Sequence, residues 1–314
     1  TGAEFAALRD DELHAQVGEI GVVARVAPED KVRLVSILKE QGNIVAMTGD
    51  GVNDAPALTR ADIGVAMGIT GTEVTKDAAE MILTDDNFAT IVTAVEGGRG
   101  LYDNLMKYIR VQMIMLAGFI LTFVGAGIFT IADGTPLLPL QILWINFAVD
   151  VLLAVGLGFD APTPGLMQRR PRSPAEPVIA RALGVRLGGA GLLIAIGTLA
   201  VVAWGEDRYG LAVATTMGLT TMSLLHIVTA LEWRDPVRSI FNRDTIANGR
   251  FNLLMLVALA LTFLVTTVPG LQRIFDTVDL DGHQWRACFV AVVGYLALAE
   301  LSKVVLRRFD REAV

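Results

Sequence analysis

The sequence predicts a small α/β domain with a parallel sheet, followed by an α-helical membrane domain of six transmembrane helices. Residues 1–100 alternate short apolar runs with stretches that carry helix signals, which is typical of a parallel α/β sheet. The rest of the chain is far more apolar, and the whole has a mean hydropathy of +0.53 and 53% hydrophobic residues. We expect the α/β domain over 1–100, a stalk helix over 101–110 and the membrane domain over 111–314.

Four segments define the predicted strands and helices of the α/β domain. Residues 44–47 are apolar and predict a short buried strand, and residues 63–68 predict a second strand with a turn. Residues 71–83 predict a helix followed by a strand. The polar residues 85–88 then cap a helix that we expect to run toward the glycines at 97–98.

The membrane domain is predicted from apolar runs, each about long enough to cross a bilayer as a helix. Six such runs in succession would leave no polar surface for a soluble domain. We therefore expect a multi-pass membrane protein in contact with the lipid bilayer. The six runs lie at 111–132, 137–159, 187–204, 211–231, 251–270 and 287–306.

Basic residues predict the orientation of these spans. They concentrate in alternate connections, whereas the other connections contain only Arg208, Arg273 and Arg286. Because basic connections stay in the cytoplasm, both termini are expected there. The membrane itself is expected to be the plasma membrane. The net charge of −7 argues against a nucleic-acid partner. The cytoplasmic set is Lys107, Arg110, Arg169, Arg170, Arg172, Arg234, Arg238, Arg243, Arg250, Lys303, Arg307, Arg308 and Arg311.

A motif at residues 48–58, Thr-Gly-Asp-Gly-Val-Asn-Asp-Ala-Pro-Ala-Leu, follows the first predicted strand. Its glycines allow a sharp turn, so Asp50, Asn53 and Asp54 are expected on an exposed turn. Hard oxygen ligands at the carboxyl end of a parallel strand suit Mg²⁺ and a phosphoryl group. An ordinary solvated turn is the alternative for a lone Asp-Gly pair.

This motif resembles the hinge motif of the P-type ATPases, cation pumps that form an aspartyl-phosphate intermediate. Residues 24–31, Ala-Arg-Val-Ala-Pro-Glu-Asp-Lys, resemble the segment that carries the family's lysine, and Lys31 lies nineteen residues before Asp50, as in that family. The amino-acid sequence of the segments at 63–68, 71–83 and 85–88 is most similar to that of the type II group, which includes the calcium and sodium/potassium pumps.

The resemblance implies a HAD-like phosphorylation domain, of which this chain holds the C-terminal part. It implies that Lys31 contacts the phosphorylated aspartate, that Asp50 holds Mg²⁺, and that Asn53 and Asp54 order the phosphate site. ATP is the implied substrate and Mg²⁺ the implied cofactor. The implied cofactor-binding residues of the turn are Thr48, Gly49 and Gly51.

Two motifs of that family are absent from this sequence. Neither Asp-Lys-Thr-Gly-Thr, which carries the phosphorylated aspartate, nor a Thr-Gly-Glu actuator loop occurs. The opening residues 1–5 resemble an internal stretch of type II pumps. We therefore expect a C-terminal third of a pump, with the remaining N-terminal part as its partner, and no ATPase activity from this chain alone.

The second predicted span contains the strongest candidates for the transported cation. Asn146 and Asp150 are four residues apart, so they are expected to share one helix face and to offer oxygens to one ion. Polar side chains within a bilayer are costly and usually line a pathway. By resemblance, both match the family's unwound ion-binding helix. A hydrogen bond between helices, without an ion, is the alternative.

Other positions depart from the calcium-pump pattern. Where that pattern has Asn and Glu in the first span, this chain has Leu116 and Phe119, and His226 replaces a glutamate of the fourth span. A single site centred on Asp150 is therefore expected, and the ion stays open between Ca²⁺, a monovalent cation and H⁺. A proton pump, a membrane-anchored HAD-like phosphatase and a non-catalytic membrane protein are the alternative functions.

Overall fold

The computed structural model describes residues 1–161, 165–173, 176–242, 245 and 247–312, with side chains described up to residue 307. Three basic residues used to predict orientation fall outside this part: Arg243, and the side chains of Arg308 and Arg311. The chain divides into two compact units, Thr1–Gly97 and Gly98–Val314. This division lies three residues before the predicted boundary at residue 100.

The first unit is an α/β domain with a three-stranded parallel sheet in the order β1-β2-β3. Met47 pairs with Gly64, and Met67 pairs with Leu83. The predicted α/β class is confirmed. The elements are α1 Gly2–Ala7, α2 Asp10–Gln16, α3 Pro28–Glu40, β1 Ala46–Gly49, α4 Ala55–Arg60, β2 Ile63–Met67, α5 Glu73–Asp77 and β3 Met81–Leu83.

The first strand differs from its prediction in position and burial. It covers Ala46–Gly49 rather than 44–47, and Ile44 is 66% exposed. The reason is that β1 is the edge strand of the sheet that the structure describes, with a partner on one side only. The central strand β2 is the buried one, with Val65 and Ala66 in the core.

The predicted end of the helix after residue 88 was wrong. Helix α6 runs without interruption over Ala89–Phe129, and Gly97 and Gly98 lie inside it. A glycine inside a helix costs about 1 kcal/mol relative to alanine, which a 41-residue helix can absorb. The predicted stalk helix and the first predicted span are therefore parts of one helix, which contains no Pro or Gly between Leu101 and Ala117.

The second unit is a helical membrane domain, and its six predicted spans are confirmed by six helices of sufficient length and hydropathy. The span Leu211–Glu232 lies at the centre of the unit and packs against four of the others, including the span Pro139–Gly158. Most of its residues are buried, including Met217, Leu219 and Met222. The helices are α6, α7 Pro139–Gly158, α8 Arg181–Tyr209, α9 Leu211–Glu232, α10 Gly249–Thr267, the short α11 Pro269–Phe275, and α12 Gly282–Glu312.

Candidate phosphate site and candidate cation site

The turn that follows β1 brings Lys31 and Asp54 together. The strand ends at Gly49, a short 3-10 turn covers Val52–Asp54, and α4 starts directly after it. Asp54 is buried, and its Oδ2 accepts hydrogen bonds from the backbone N–H groups of Asp50 and Gly51, both at 3.3 Å. Its Oδ1 lies 2.5 Å from Lys31 Nζ, which comes from the first turn of α3.

Gly49 makes this arrangement possible. A Cβ added at this position would overlap the side chain of Asp54. The glycine therefore lets the carboxylate fold back under the end of the strand. Thr48 precedes it within β1 and is half-buried. The motif thus fixes its own local geometry, but Asp54, which was expected on the exposed turn, is buried because its carboxylate folds back to accept the backbone N–H groups.

The charge of Asp54 is stabilised by its neighbours. Burial by itself raises the pKa of this carboxyl, but the hydrogen bonds from Lys31 and from the backbone of Gly51 and Asp50 outweigh it, so the pKa is lowered. Lys31 keeps about a third of its side chain exposed, at 35%. The lysine therefore lies at the surface of the turn, where a bound anion can also contact it.

Asp50 and Asn53 point to the solvent side of the same turn. Both are exposed, and within the described residues the Asp50 carboxylate has no hydrogen bond or ion pair. Its backbone carbonyl accepts hydrogen bonds from Thr72 N–H at 3.0 Å and Thr75 Oγ1 at 3.4 Å, which anchors the turn. Mg²⁺ commonly takes one or two carboxylates and keeps several waters, so an accessible Asp50 fits this ion.

In the membrane unit, Asp150 is bonded to His226. Asp150 ends a π-helical segment, Ile145–Asp150, inside α7, and π-helical turns occur frequently at functional sites. His226 Nδ1 lies 2.9 Å from Asp150 Oδ1, and the two residues are only 0% and 6% exposed. The ring of Phe119 packs edge-on against the imidazole, with centroids 5.3 Å apart. His226 Nε2 has no hydrogen-bond partner in the described part.

The structure does not bring Asn146 and Asp150 together. Asn146 is exposed, and its amide donates to the carbonyl of Ile142 at 3.0 Å, four residues back on the same helix. The expected shared face is therefore not seen: the amide bonds its own helix, whereas the carboxylate turns inward to α9. The expected unwinding is not seen either, because this segment is π-helical.

Few other hard ligands accompany Asp150. Leu116 is exposed, and Phe119 contacts His226 rather than leaving room for a ligand. In the ranges that the structure describes, no group of three or more His, Cys, Asp or Glu side chains could hold a metal ion.

Sequence reasoning missed two buried carboxylates at the ends of spans. Asp160 follows α7 and pairs with Lys107 at 2.7 Å, and Glu232 ends α9 and pairs with Lys303 at 2.5 Å. Glu300 is closer to Lys303 in sequence, but the distance between their charged atoms is longer, at 3.6 Å. The main partner of Lys303 is therefore Glu232, which is distant in sequence. An aspartate directly after an apolar run was the only signal for Asp160, and nothing in the sequence identified its partner.

A parallel α/β unit followed by a unit of six long apolar helices is the arrangement of the C-terminal region of a P-type cation ATPase. The chain belongs to the family described as "Cation transporting ATPase, C-terminus", whose model matches residues 134–305.

Three relatives illustrate the similarity. The chain is 40% identical to a "Calcium-transporting ATPase" of Bacillus subtilis, over 93% of this chain and 32% of the relative. It is 40% identical to a "Probable cation-transporting ATPase F" of Mycobacterium tuberculosis, over 98% of this chain and 34% of the relative. It is 36% identical to a human "Calcium-transporting ATPase type 2C member 2", over 89% of this chain and 30% of the relative. The chain thus spans about a third of the length of these relatives.

Proposed function

We propose that this chain supplies part of the phosphorylation site and six spans of a type II P-type ATPase that transports a cation across the plasma membrane, with both termini cytoplasmic. The observation that carries the proposal is the turn after β1, where the Lys31–Asp54 contact lies beside an exposed Asp50. The relatives named as cation or calcium transporters support it. We further propose that the phosphorylated aspartate and the remaining helices lie outside this chain.

The chemistry follows from the charges of the turn. The γ-phosphoryl group of ATP passes to an aspartate carboxylate outside this chain, ADP leaves, and water later hydrolyses the acyl phosphate. Lys31 would neutralise the transferring group, and Asp54 holds that ammonium in place at 2.5 Å. Asp50 would hold Mg²⁺, which supplies positive charge on the phosphate oxygens when bound. Asn53 is an exposed amide on the same turn, where it would help to order the phosphate.

On the membrane side, Asp150 is the proposed ligand of one transported cation. It is a buried carboxylate in the π-helical segment of α7, and intramembrane carboxylates usually mark ion paths. Further ligands from segments outside this chain would complete the site, and Asn146 would join them only by releasing the carbonyl of Ile142 and turning toward Asp150. We propose Ca²⁺ as the first cation to test, with one ion per cycle. Two divalent ions transported per ATP would contradict the single site.

A proton pump of the same family is the second candidate. The observation that favours it is the short His226–Asp150 contact of 2.9 Å, because an imidazole bonded to the carboxylate occupies one of its oxygens. A carboxylate that changes its proton affinity between two conformations can carry a proton. ATP-driven acidification without any requirement for a metal cation would select this candidate.

The test is phosphoenzyme formation by the full-length protein that contains this chain. With ATP and Mg²⁺, we expect a hydroxylamine-labile phosphoenzyme that depends on micromolar Ca²⁺. Asp50→Asn should reduce its rate by about 10²–10³-fold, the usual effect of removing one charged group that acts on the transition state. Asp11→Asn, at an exposed carboxylate of α2, is the matched control and should leave the rate unchanged.

A protein that hydrolyses simple phosphate esters, and whose phosphoenzyme depends on neither ATP nor a transported cation, would support the phosphatase alternative. Normal phosphoenzyme levels in Asp50→Asn would show that the turn is only structural. We also expect the chain alone to be inactive with ATP, since it contains no Asp-Lys-Thr-Gly-Thr motif.

A further inference from the structure

A buried ionic cluster lies just beyond the end of α7, around Asp160. The Asp160 carboxylate accepts hydrogen bonds from Lys107 Nζ at 2.7 Å, from Arg234 Nη2 at 2.6 Å and Nε at 3.2 Å, and from Asn248 Nδ2 at 3.0 Å. Asp160 and Lys107 are each 7% exposed. One carboxylate therefore joins three separate segments of the membrane unit.

The three partners come from three different helices or their ends. Lys107 lies on α6, Arg234 comes two residues after α9, and Asn248 caps the start of α10 by accepting the N–H of Phe251. Arg234 binds both carboxylate oxygens, which fixes the orientation of its guanidinium. Such a cluster holds these helix ends at a set spacing.

A second set of bonds ties α6 to the end of α7 through the backbone. Asn104 lies three residues before Lys107 on α6, and its amide donates to the carbonyls of Asp160 at 2.7 Å and Gly158 at 3.3 Å. Lys107 also lies 3.2 Å from Asn104 Oδ1. A shift of α6 along its axis must therefore move the end of α7 or break several buried bonds.

Two of the helices that meet around Asp160, α7 and α9, also hold the candidate cation site. Asp150 lies on α7, eight residues before Gly158, or about 12 Å along the helix. His226 lies on α9, eight residues before Arg234. The Asp150–His226 contact and the Asp160–Arg234 contact are thus two links between the same two chain segments.

We propose that Asp160 is a positioning residue for the cation site: it holds α7 and α9 at the spacing that Asp150 needs and transmits displacements of α6 to them. This inference rests on the proposed function, because it assigns Asp160 a role at the proposed cation site. Asp160 itself contacts neither ATP nor the cation. Helix α6 is continuous from Ala89 to Phe129, so a displacement of the helix along its axis moves Lys107 and Asn104 together.

The first experiment measures the cation site directly in the full-length protein. In Asp160→Asn, we expect the Ca²⁺ concentration for half-maximal phosphorylation by ATP to rise at least tenfold. Phosphorylation by inorganic phosphate without Ca²⁺ should stay within twofold of the wild type. Glu232→Gln is the matched control, since it removes a similar buried carboxylate whose lysine partner lies on α12 instead of α6. It should leave both values within about 1.5-fold of the wild type.

A milder variant keeps the inference testable if Asp160→Asn fails to fold. Asn104→Ala preserves every charge and removes only the amide bonds to the end of α7. We expect about a threefold rise in the required Ca²⁺. Wild-type Ca²⁺ dependence in the folded variants, or an equal shift in Glu232→Gln, would overturn the inference.

A second measurement does not depend on pump activity. The chain contains three histidines, so ¹⁵N-histidine spectra of this chain in detergent have few signals to assign. We expect the His226 signals to shift in Asp160→Asn and to stay in place in Glu232→Gln. An unmoved His226 signal would overturn the inference even if no cation activates the protein. A wild type without Ca²⁺-dependent phosphoenzyme would count against Ca²⁺ as substrate and leave the spectra to decide the positioning role.

Discussion

The Lys31–Asp54 pair and the His226–Asp150 pair have similar geometry in very different surroundings. The nitrogen–oxygen distances are 2.5 Å and 2.9 Å. Lys31 keeps 35% of its side chain exposed at the turn of the α/β unit, whereas His226 is fully enclosed between membrane helices. Lys31 can contact a ligand from solvent in place of Asp54. Asp150 cannot exchange His226 for another ligand unless a helix moves.

This difference separates the expected roles of the two pairs. At the turn after β1, water reaches Lys31, and the buried Asp54 keeps two backbone hydrogen bonds when the lysine is lost, so the pair contributes little to folding and the lysine charge is available for chemistry. In the membrane unit, a lost partner leaves a buried polar group unsatisfied, so the pair contributes to stability as well as to ligand binding. Substitutions that replace a polar partner by an apolar residue should therefore affect mainly activity at the turn, and stability as well in the membrane unit.

The largest expected effect is on phosphoryl transfer at the solvated turn. Lys31→Met should lower the rate of phosphoenzyme formation by about 10²–10³-fold, because it removes the ammonium that neutralises the transferring phosphoryl group. Its free energy of unfolding should fall by no more than about 1 kcal/mol. Rapid-quench phosphorylation and thermal unfolding measure the two quantities.

The control for this variant is Lys39→Met. Lys39 is 31% exposed, close to the exposure of Lys31, and pairs with Asp62 at 3.0 Å away from the turn after β1. It should lose as little stability and retain normal phosphorylation. Equal loss of activity in both variants would show that the turn is not special.

A smaller effect, this time on stability, is expected in the membrane unit. His226→Leu leaves the buried Asp150 without its hydrogen-bond partner, which should cost about 1–3 kcal/mol and more if the carboxylate stays charged. His14→Leu is the matched change at an exposed histidine, which lies 3.0 Å from Glu40. It should cost less than about 1 kcal/mol. Thermal unfolding in detergent compares them, and equal losses would remove the proposed difference between the regions.

The smallest effect is the pH dependence of the Asp160 cluster. Burial raises the pKa of Asp160, but hydrogen bonds from Arg234, Lys107 and Asn248 outweigh it and lower the pKa from 3.8 to about 2. A lowered folded-state pKa adds stability above the unfolded value and loses it as the pH falls toward 2. This pKa shift corresponds to about 2 kcal/mol of folding free energy.

Thermal unfolding of the wild type and of Asp160→Asn tests this dependence. The difference between them should be constant from pH 8 to pH 5 and should shrink below about pH 4, as Asp160 of the wild type takes up a proton. A difference that already shrinks between pH 7 and pH 5 would mean that the cluster does not hold the carboxylate charged.

The solvated turn could be predicted from sequence because its interactions are local. Asp54 bonds the backbone of residues three and four positions before it, and Gly49 is needed for that close approach. The six spans could be predicted for a similar reason, since each is a continuous apolar run. The end of α6 was misjudged because two glycines weaken a helix without ending it.

The membrane pairs could not be predicted, because their partners are distant in sequence. His226 lies 76 residues after Asp150, and Arg234 lies 74 residues after Asp160. Helix periodicity places Asn146 and Asp150 on one face, yet the packing of α9 draws only the carboxylate inward. Which side chain turns toward which helix depends on tertiary packing, and periodicity contains no information about it.

The most direct test of the account is Asp150→Asn in the full-length protein, compared with Asp207→Asn at an exposed carboxylate near the end of α8. We predict that Asp150→Asn accumulates normally and is phosphorylated by inorganic phosphate, but that cation-stimulated phosphorylation by ATP is abolished. Asp207→Asn should behave as the wild type. Unchanged cation dependence in Asp150→Asn would contradict the account and show that Asp150 is only structural.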